Sequence, residues 1–320
     1  MRALVTGGAG FIGSHLVRQL LSNGDRVIAL DNLSTGRHDN IRDLLEDPSF
    51  EFVMGSILNA DLVDDLVSRS DVVYHLAAAV GVKLIVERPL ESLITNIRGS
   101  ELLLEKAHKH GRKVLVTSTS EVYGKSPDIP YKEDGDRLLG STLIGRWSYS
   151  TSKAVDEILA NAYWKAKGLP TVIARLFNTV GPGQSPEYGM VIPRFIEQAL
   201  ARKDLTVFGD GSQTRCFAHV DDIVPALIAL MGCTEAEGQA VNLGSSEEVS
   251  ILDLAELVIE LTNSTSQINL VAYEDAYESG FEDMPRRVPD LTRAKKLIDF
   301  EPRRSLREIV ESMIQDVQSR

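Results

Sequence analysis

Cysteine, aromatic residues and long apolar runs are all scarce in this chain of 320 residues. The two cysteines, Cys216 and Cys233, lack the paired spacing of a zinc site, so we expect no metal. Low cysteine usage is typical of a reducing compartment, and a cytoplasmic location is expected. No apolar run approaches the ~20 residues that a membrane-spanning helix needs. The first strand begins almost at the N-terminus, so we do not expect a signal peptide.

Positive charge is also in deficit. The chain has 34 Lys and Arg residues against 46 Asp and Glu residues, a formal net charge of -12. Such an acidic surface repels polyanions, and nucleic acid is therefore not an expected partner. A composition with 43% hydrophobic and 25% charged residues is ordinary for a globular protein, and the length suffices for a large core in two lobes.

Strand-like and helical patterns alternate through the first half of the chain. Apolar strand segments are predicted at 3–5, 26–31, 50–54, 72–75, 113–117 and 171–175, with helices at about 11–23, 60–68, 90–110 and 149–167. This alternation predicts βαβ units, hence an α/β fold with a doubly wound parallel sheet. Beyond Asn178 glycine and proline cluster, which indicates a smaller mixed α/β lobe. We expect a first domain at 1–178, with returning segments near 215–245, and a second lobe at 179–320.

The segment TGGAGFIG, at positions 6–13, is the first functional motif. It follows a strand and starts a helix, which is the context that a dinucleotide-binding glycine turn requires. Gly7 permits the tight turn, Gly10 lets the backbone approach a pyrophosphate, and Gly13 lets the helix pack close to the strand. The helix N-terminus supplies N–H donors for the same anion. No Gly-Lys-Ser/Thr follows, so a kinase-type phosphate loop is excluded.

Asp31 ends the second strand, eighteen residues after Gly13. A carboxylate there accepts hydrogen bonds from the adenosine ribose and repels a 2′-phosphate, so the sequence favours NAD over NADP. Arg37 stands nearby and tempers this preference, although a solvated loop arginine is the simpler interpretation.

A tyrosine and a lysine four residues apart, Tyr149 and Lys153, form the second motif. On a helix they share a face, and the ammonium is expected to lower the pKa of the phenol, which would make Tyr149 a usable base. The spacing alone is common. Its position after the fifth strand, whose end carries several hydroxyl side chains, makes it informative because ligands bind at the carboxyl edge of such sheets.

These motifs together resemble the extended short-chain dehydrogenase/reductase family over essentially the whole chain, and within it the nucleotide-sugar enzymes. The resemblance rests on the glycine turn, HLAA (75–78), Asn96, STSEVYG (118–124), YSTSK (149–153), RLFN (175–178), LTVFGDGSQTRCFAHVDD (205–222) and RRVPDLTRAKKLI (286–298). It implies a Rossmann fold with NAD, a UDP-sugar substrate, and a homodimer formed by a four-helix bundle of the helices near 90–110 and 149–167.

The resemblance also implies roles for individual residues. Tyr149 would take the proton of the sugar 4-hydroxyl, Lys153 would hold the nicotinamide ribose, and Thr119 would bind the C4 oxygen. Ser120 and Glu121 complete the expected catalytic set. The cofactor set adds Gly7, Gly10, Phe11, Ile12, Gly13, Asp31, Asn32, Ser56, Ile57, Leu76, Ala77, Ala78, Asn96 and Thr117. The substrate set is Val82, Lys83, Thr119, Asn178, Val191, Arg194, Thr206, Val207, Phe208, Arg215, Arg286 and Arg287.

Oxidation at C4 of the sugar leaves several reactions open. A 4,6-dehydratase is disfavoured because such enzymes carry an Asp-Glu pair where this chain has Ser120-Glu121. Thr119-Ser120-Glu121 and GRWSY (145–149) resemble the UDP-glucuronate decarboxylases, whereas YGMVIPRF (188–195) and GFEDMPRRVPD (280–290) resemble UDP-glucuronate 4-epimerases. The sequence leads us to expect a 4-epimerase acting on UDP-glucuronate, or on UDP-glucose, with the decarboxylase as the alternative. A non-catalytic NAD-binding regulator is a remote third reading, since the chain keeps Thr119, Tyr149 and Lys153.

Overall fold

A seven-stranded parallel sheet forms the centre of the protein. The computed structural model describes residues 1–81, 88–186, 190–272 and 284–319. The strand order is β11-β6-β5-β4-β1-β2-β3. The strands are β1 (Arg2–Thr6), β2 (Arg26–Asp31), β3 (Phe50–Met54), β4 (Val72–His75), β5 (Lys113–Thr119), β6 (Thr171–Leu176) and β11 (Ala240–Leu243). The order reverses direction at β1, so the prediction of a doubly wound α/β fold is confirmed.

Helices cover both faces of this sheet. One face packs on α1 (Phe11–Ser22) and α6 (Val220–Gly232) around a core that includes Leu16, Val17 and Leu227. The other face packs on α2 (Ala60–Ser68), α3 (Pro89–His110) and α4 (Trp147–Lys167), with Leu103 and Leu104 fully buried. Strands buried on both sides explain the continuous apolar runs of the sequence.

The second lobe is built mainly from residues after Thr179. Its helices are α5 (Val191–Leu200), α7 (Ile251–Thr262) and α9 (Leu306–Ser319), which share one apolar core with β8 (Leu205–Phe208). The pairs β8 with β13 (Ile268–Val271), β9 (Thr214–Cys216) with β12 (Glu248–Ser250), and β7 (Thr179–Val180) with β10 (Ala218–His219) form small sheets. The short helix α8 (Thr292–Ile298) packs against β11 and α6.

Strand β11 is the part of the later chain that joins the first sheet. It pairs with β6 in parallel, from Ala240 beside Ile173 to Leu243 beside Leu176. It falls inside the range 215–245 that the sequence marked as returning to the first lobe. The division of the chain at residue 178 stays a prediction.

No helix among the described residues is both long and apolar enough to cross a membrane. Cys216 and Cys233 are both free thiols.

Candidate active site

The glycine turn brings three stretches of backbone into close contact. Gly7 adopts a φ of +74°, and a Cβ on it would lie 2.9 Å from the backbone nitrogen of Ala77. A Cβ on Gly13 would lie 2.0 Å from the carbonyl oxygen of Gly7. Gly10 is the N-cap of α1 and supplies no side-chain hydrogen bond to the N–H groups of the first turn. This geometry fits a pyrophosphate at the helix N-terminus.

Asp31 lies at the carboxyl end of β2, beside the glycine turn. Its carboxylate accepts hydrogen bonds from the backbone N–H groups of Ala9, at 3.0 Å, and Leu33, at 2.8 Å. Burial raises the pKa of this carboxyl, and the backbone hydrogen bonds oppose that rise. A fixed acceptor at this position fits the ribose of a dinucleotide.

A cleft of about 550 Å³ extends from the glycine turn to the second lobe. This volume is within the usual range for a small-molecule site. Its walls include, of the expected cofactor set, Gly7, Gly10, Phe11, Ile12, Gly13, Asp31, Asn32, Ile57, Leu76, Ala77, Ala78, Thr117, Tyr149 and Lys153. Thr119, Ser120 and Glu121 line it too. The residues present therefore fit a dinucleotide.

Two members of the expected cofactor set contribute differently. Ser56 accepts a hydrogen bond from the Leu58 N–H in the turn before α2. Asn96 is buried and accepts from the Ala79 N–H at 2.8 Å while donating to Ser152 Oγ at 3.1 Å. Asn96 thus ties α3 to α4 and to the loop after β4, and in this way supports the wall of the cleft.

The surroundings of Tyr149 differ from the expectation of a lowered pKa. Lys153 donates to Asp156 Oδ2 at 2.6 Å, and both side chains are almost completely buried. Burial, Glu121 and Asp156 raise the pKa of Tyr149, and Arg146 opposes them. The expected lowering of the Tyr149 pKa is therefore wrong, because burial first and then the two carboxylates raise it.

Glu121 lies in the 3₁₀ turn that follows β5. Its two oxygens accept hydrogen bonds from Arg146 at 2.5 and 3.1 Å, and Arg287 approaches Oε1 at 3.5 Å. Thr119 caps the same turn by accepting from the Glu121 N–H at 3.2 Å. Glu121 thus lies between two guanidinium groups at this end of the cleft.

A buried hydrogen-bond network supports the end of β5, just before this 3₁₀ turn. Arg175 donates to Glu157 at 2.9 and 2.7 Å, and Ser118 donates to the same carboxylate. Arg175 also donates to Tyr123 at 2.8 Å. Buried pairs of this kind hold strand ends rigid when every partner is satisfied, and this one fixes the end of β5 against α4 and β6.

The second lobe contributes Arg194, Arg215 and several neighbours to the cleft. Arg215 is 6% exposed and donates to the carbonyl oxygens of Thr214 and Met284. The guanidinium of Arg194 lies 4.6 Å from the ring centre of Phe208. Asn178 donates to the Cys216 carbonyl at 2.8 Å. Cleft-lining members of the expected substrate set are Thr119, Asn178, Val191, Arg194, Phe208, Arg215 and Arg287.

Three other members of that set do not line the cleft as described, namely Thr206, Val207 and Arg286. Thr206 bonds with Gln198, and Val207 is fully buried in the second core. Arg286 is half exposed and pairs with Glu248, whereas Arg287 is mostly buried. Val82 and Lys83 lie outside the described residues.

Arg146 and Asp156 are the site residues that the sequence reasoning missed. Arg146 stands three positions before Tyr149, inside the quoted segment GRWSY, but was not selected. Asp156 stands three positions after Lys153, a spacing at which helical side chains meet. A carboxylate on the buried face of the same helix was the available signal.

Comparisons with known proteins agree with this geometry. The family model described as GDP-mannose 4,6 dehydratase matches residues 4–313. The UDP-N-acetyl-alpha-D-glucosaminuronate decarboxylase of Bacillus cytotoxicus is 43% identical over 98% of this chain and 97% of its own. UDP-glucuronic acid decarboxylase 1 of Arabidopsis thaliana is 37% identical over 100% of this chain and 70% of its own. A UDP-glucuronic acid 4-epimerase from Bacillus cereus, solved with UDP-glucuronic acid and NAD, superposes with a TM-score of 0.90 at 32% identity, covering 100% of this chain and 99% of that one. The chain belongs to the GDP-mannose 4,6-dehydratase family, within the extended short-chain dehydrogenases/reductases.

Proposed function

We propose that this protein decarboxylates a UDP-hexuronate through a transient 4-keto sugar. The observation that carries the proposal is the position of Glu121, two residues after Thr119, where two guanidinium nitrogens of Arg146 hold it and Arg287 approaches it. The sequence favoured a 4-epimerase. The site and the relatives together favour the decarboxylase, which was the alternative.

NAD is the cofactor of this chain. The turn from Gly7 to Gly13 and the N-terminus of α1 would hold the pyrophosphate, Asp31 the adenosine ribose, and Lys153 the nicotinamide ribose. When bound, NAD supplies the acceptor and later the donor of the hydride at C4 of the sugar. No metal ion is needed for this chemistry.

The chain's own residues handle the proton and the oxygen at C4. Tyr149 accepts the proton of the 4-hydroxyl, and Thr119 donates a hydrogen bond to the oxygen that becomes the ketone. Both side chains line the cleft. A ketone at C4 makes the C6 carboxylate a β-keto acid. The C5–C6 bond then breaks, its electron pair moves into an enolate on the C4 oxygen, and carbon dioxide leaves.

The side chains at this end of the cleft suit the step. The guanidinium of Arg287 attracts the substrate carboxylate, while Arg146 keeps Glu121 in a fixed orientation beside it. Hydrogen bonds from Thr119 and the protonated Tyr149 stabilise the enolate oxygen. A proton then replaces the carboxylate at C5, and reduction at C4 restores the hydroxyl in a pentose.

Two candidate substrates follow from the relatives. The 43% identical protein acts by its name on UDP-N-acetylglucosaminuronate, and the 37% identical one on UDP-glucuronate. Both carry the C6 carboxylate that the mechanism needs. We favour the N-acetylated sugar because of the higher identity. A UDP-glucuronate 4-epimerase is the second candidate, supported by the TM-score of 0.90 to the Bacillus cereus enzyme.

The test is a product assay. Each of the two UDP-hexuronates is incubated with the purified protein and NAD, and the mixture is followed by proton NMR. A UDP-pentose with release of carbon dioxide is expected. A UDP-galacturonate-type product that keeps C6 would contradict the decarboxylase and establish the epimerase. Conversion of neither substrate would overturn the proposal for hexuronates altogether.

We further propose that two copies of the chain associate through α3 and α4. Three apolar side chains on these helices are exposed in the single chain: Leu90 by 70%, Ile94 by 38% and Ile158 by 62%. Covering them in a second copy removes this apolar surface from water. We also propose a cytoplasmic location and a division into two lobes at residue 178.

A further inference from the structure

Asp156 is a buried carboxylate that the proposed mechanism does not use. Its side chain has no solvent exposure, and Oδ2 lies 2.6 Å from Lys153 Nζ. Oδ1 is equally buried and has no hydrogen-bond partner among the described residues. A buried carboxylate with one oxygen left unsatisfied destabilises a fold, so its presence calls for an explanation in the site.

The other charged groups around α4 have partners of their own. Glu121 from the turn after β5 is held by Arg146, and Glu157 on α4 is held by Arg175 from β6. His75 on β4 is neutral, because burial and then the charge of Lys153 lower its pKa to about 3. From α3, Glu101 and Glu105 act on Tyr163, seven residues beyond Asp156. Lys153 is therefore the cation that compensates Asp156.

We propose that Asp156 is a positioning residue for Lys153. Its carboxylate holds one N–H of the Lys153 ammonium and leaves the other two for the nicotinamide ribose. The charge of Asp156 also sets the pH range in which Tyr149 acts. An ammonium carries three donors, so one can stay with Asp156 while the cofactor is bound. The proposal rests on the proposed role of Tyr149 as the base and not on which reaction follows the ketone.

The effect on Tyr149 has a definite sign. Asp156 is one of the groups that raise the pKa of Tyr149, after burial and Glu121. Removing its negative charge favours the phenolate, so the base becomes active at lower pH. A purely structural role for Asp156 would change thermal stability and leave the pH dependence in place.

The experiment compares Asp156→Asn with the protein itself, both loaded with NAD. The readout is kcat/KM for consumption of the UDP-hexuronate as a function of pH, which does not depend on the product. The acid limb is expected to move to lower pH by about one unit. Calorimetric titration with NAD supplies a second readout, and Kd is expected to rise about tenfold because the ammonium is no longer held (1.4 kcal/mol per tenfold change).

Asp128→Asn is the matched control, since it removes the same charge from an exposed loop and should leave both quantities unchanged. If Asp156→Asn does not fold, Asp156→Ser removes the same charge with a smaller side chain. It should shift the acid limb of the pH profile equally. An acid limb that coincides with that of the unchanged protein would overturn the proposal. A shifted limb in an enzyme that yields no pentose would leave Asp156 in its role and refute the decarboxylase alone.

Discussion

Tyr149 is the residue whose chemistry depends most on its neighbours. Burial and two carboxylates oppose its ionisation, and one guanidinium favours it. The raised pKa favours the protonated phenol. Because a base must lose its proton to act, activity is expected to fall as the pH drops below the pKa that Tyr149 has in the complex.

Replacement of Tyr149 by Phe tests the base directly. We expect kcat/KM for consumption of the UDP-hexuronate to fall by about 10²–10⁴-fold, the usual contribution of a positioned base. Tyr163→Phe, on the same helix but away from the cleft, should leave it unchanged. NAD affinity, measured by calorimetry, should stay within a few-fold in both variants. Full turnover in Tyr149→Phe would remove Tyr149 from the mechanism.

Glu121→Gln tests the group that favours decarboxylation. The amide cannot accept two charge-assisted hydrogen bonds from Arg146, so the guanidinium loses its fixed orientation. Pentose formation measured by NMR is expected to fall about a hundredfold. Glu260→Gln, which breaks the exposed pair with Arg307, is the control and should have almost no effect. Equal rates for Glu121→Gln and the unchanged protein would contradict the role of Glu121.

At the scale of elements, features encoded within one segment of the sequence could be predicted, whereas contacts between distant residues could not. The strands and helices of the first lobe follow from apolar periodicity, and Tyr149 with Lys153 from a spacing of four, because these signals lie within one segment. The contact between Glu121 and Arg287 joins residues 166 positions apart, and its existence depends on how the second lobe returns to the first. Asp156 shows a different limit. Its spacing was visible, but only burial reveals that it pairs with Lys153.

The close contact between the glycine turn and α1 can be tested with glycine variants. In Gly13→Ala the new Cβ would lie 2.0 Å from the Gly7 carbonyl, so the helix must move away from the turn. We expect a loss of about 2 kcal/mol or more in the free energy of unfolding and much weaker NAD binding. Chemical denaturation and calorimetry measure the two effects.

Gly232→Ala, at the end of α6, is the control for this variant. An added Cβ there meets no atom within 4 Å, so alanine should stabilise the helix by about 0.5–1 kcal/mol. If Gly13→Ala behaved like Gly232→Ala, the close contact between helix and turn would not be needed for the cofactor.

At the scale of the whole molecule, cofactor binding should appear as stability of the entire chain. With NAD at about a hundred times its Kd, the free energy of unfolding should rise by about 2.7 kcal/mol, or roughly 4 °C in Tm for a chain of this size. NADP at the same concentration should give a smaller shift, because Asp31 repels a 2′-phosphate. The measurement is a calorimetric scan of the cofactor-free protein, compared with scans after NAD or NADP is added. Equal shifts for the two dinucleotides would contradict the preference for NAD.

Strand β11 has a consequence for how the protein is made. It is the edge strand beside β6, yet it is encoded more than sixty residues later in the chain. During synthesis the ribosome delivers β1 to β6 first, and β6 then presents an unpaired row of N–H and C=O groups. Residues up to Leu243 must emerge before that row is covered. In a fragment ending at residue 178 the edge of β6 would stay unpaired, because β11 is missing. We therefore expect this fragment to aggregate under conditions in which the full chain folds.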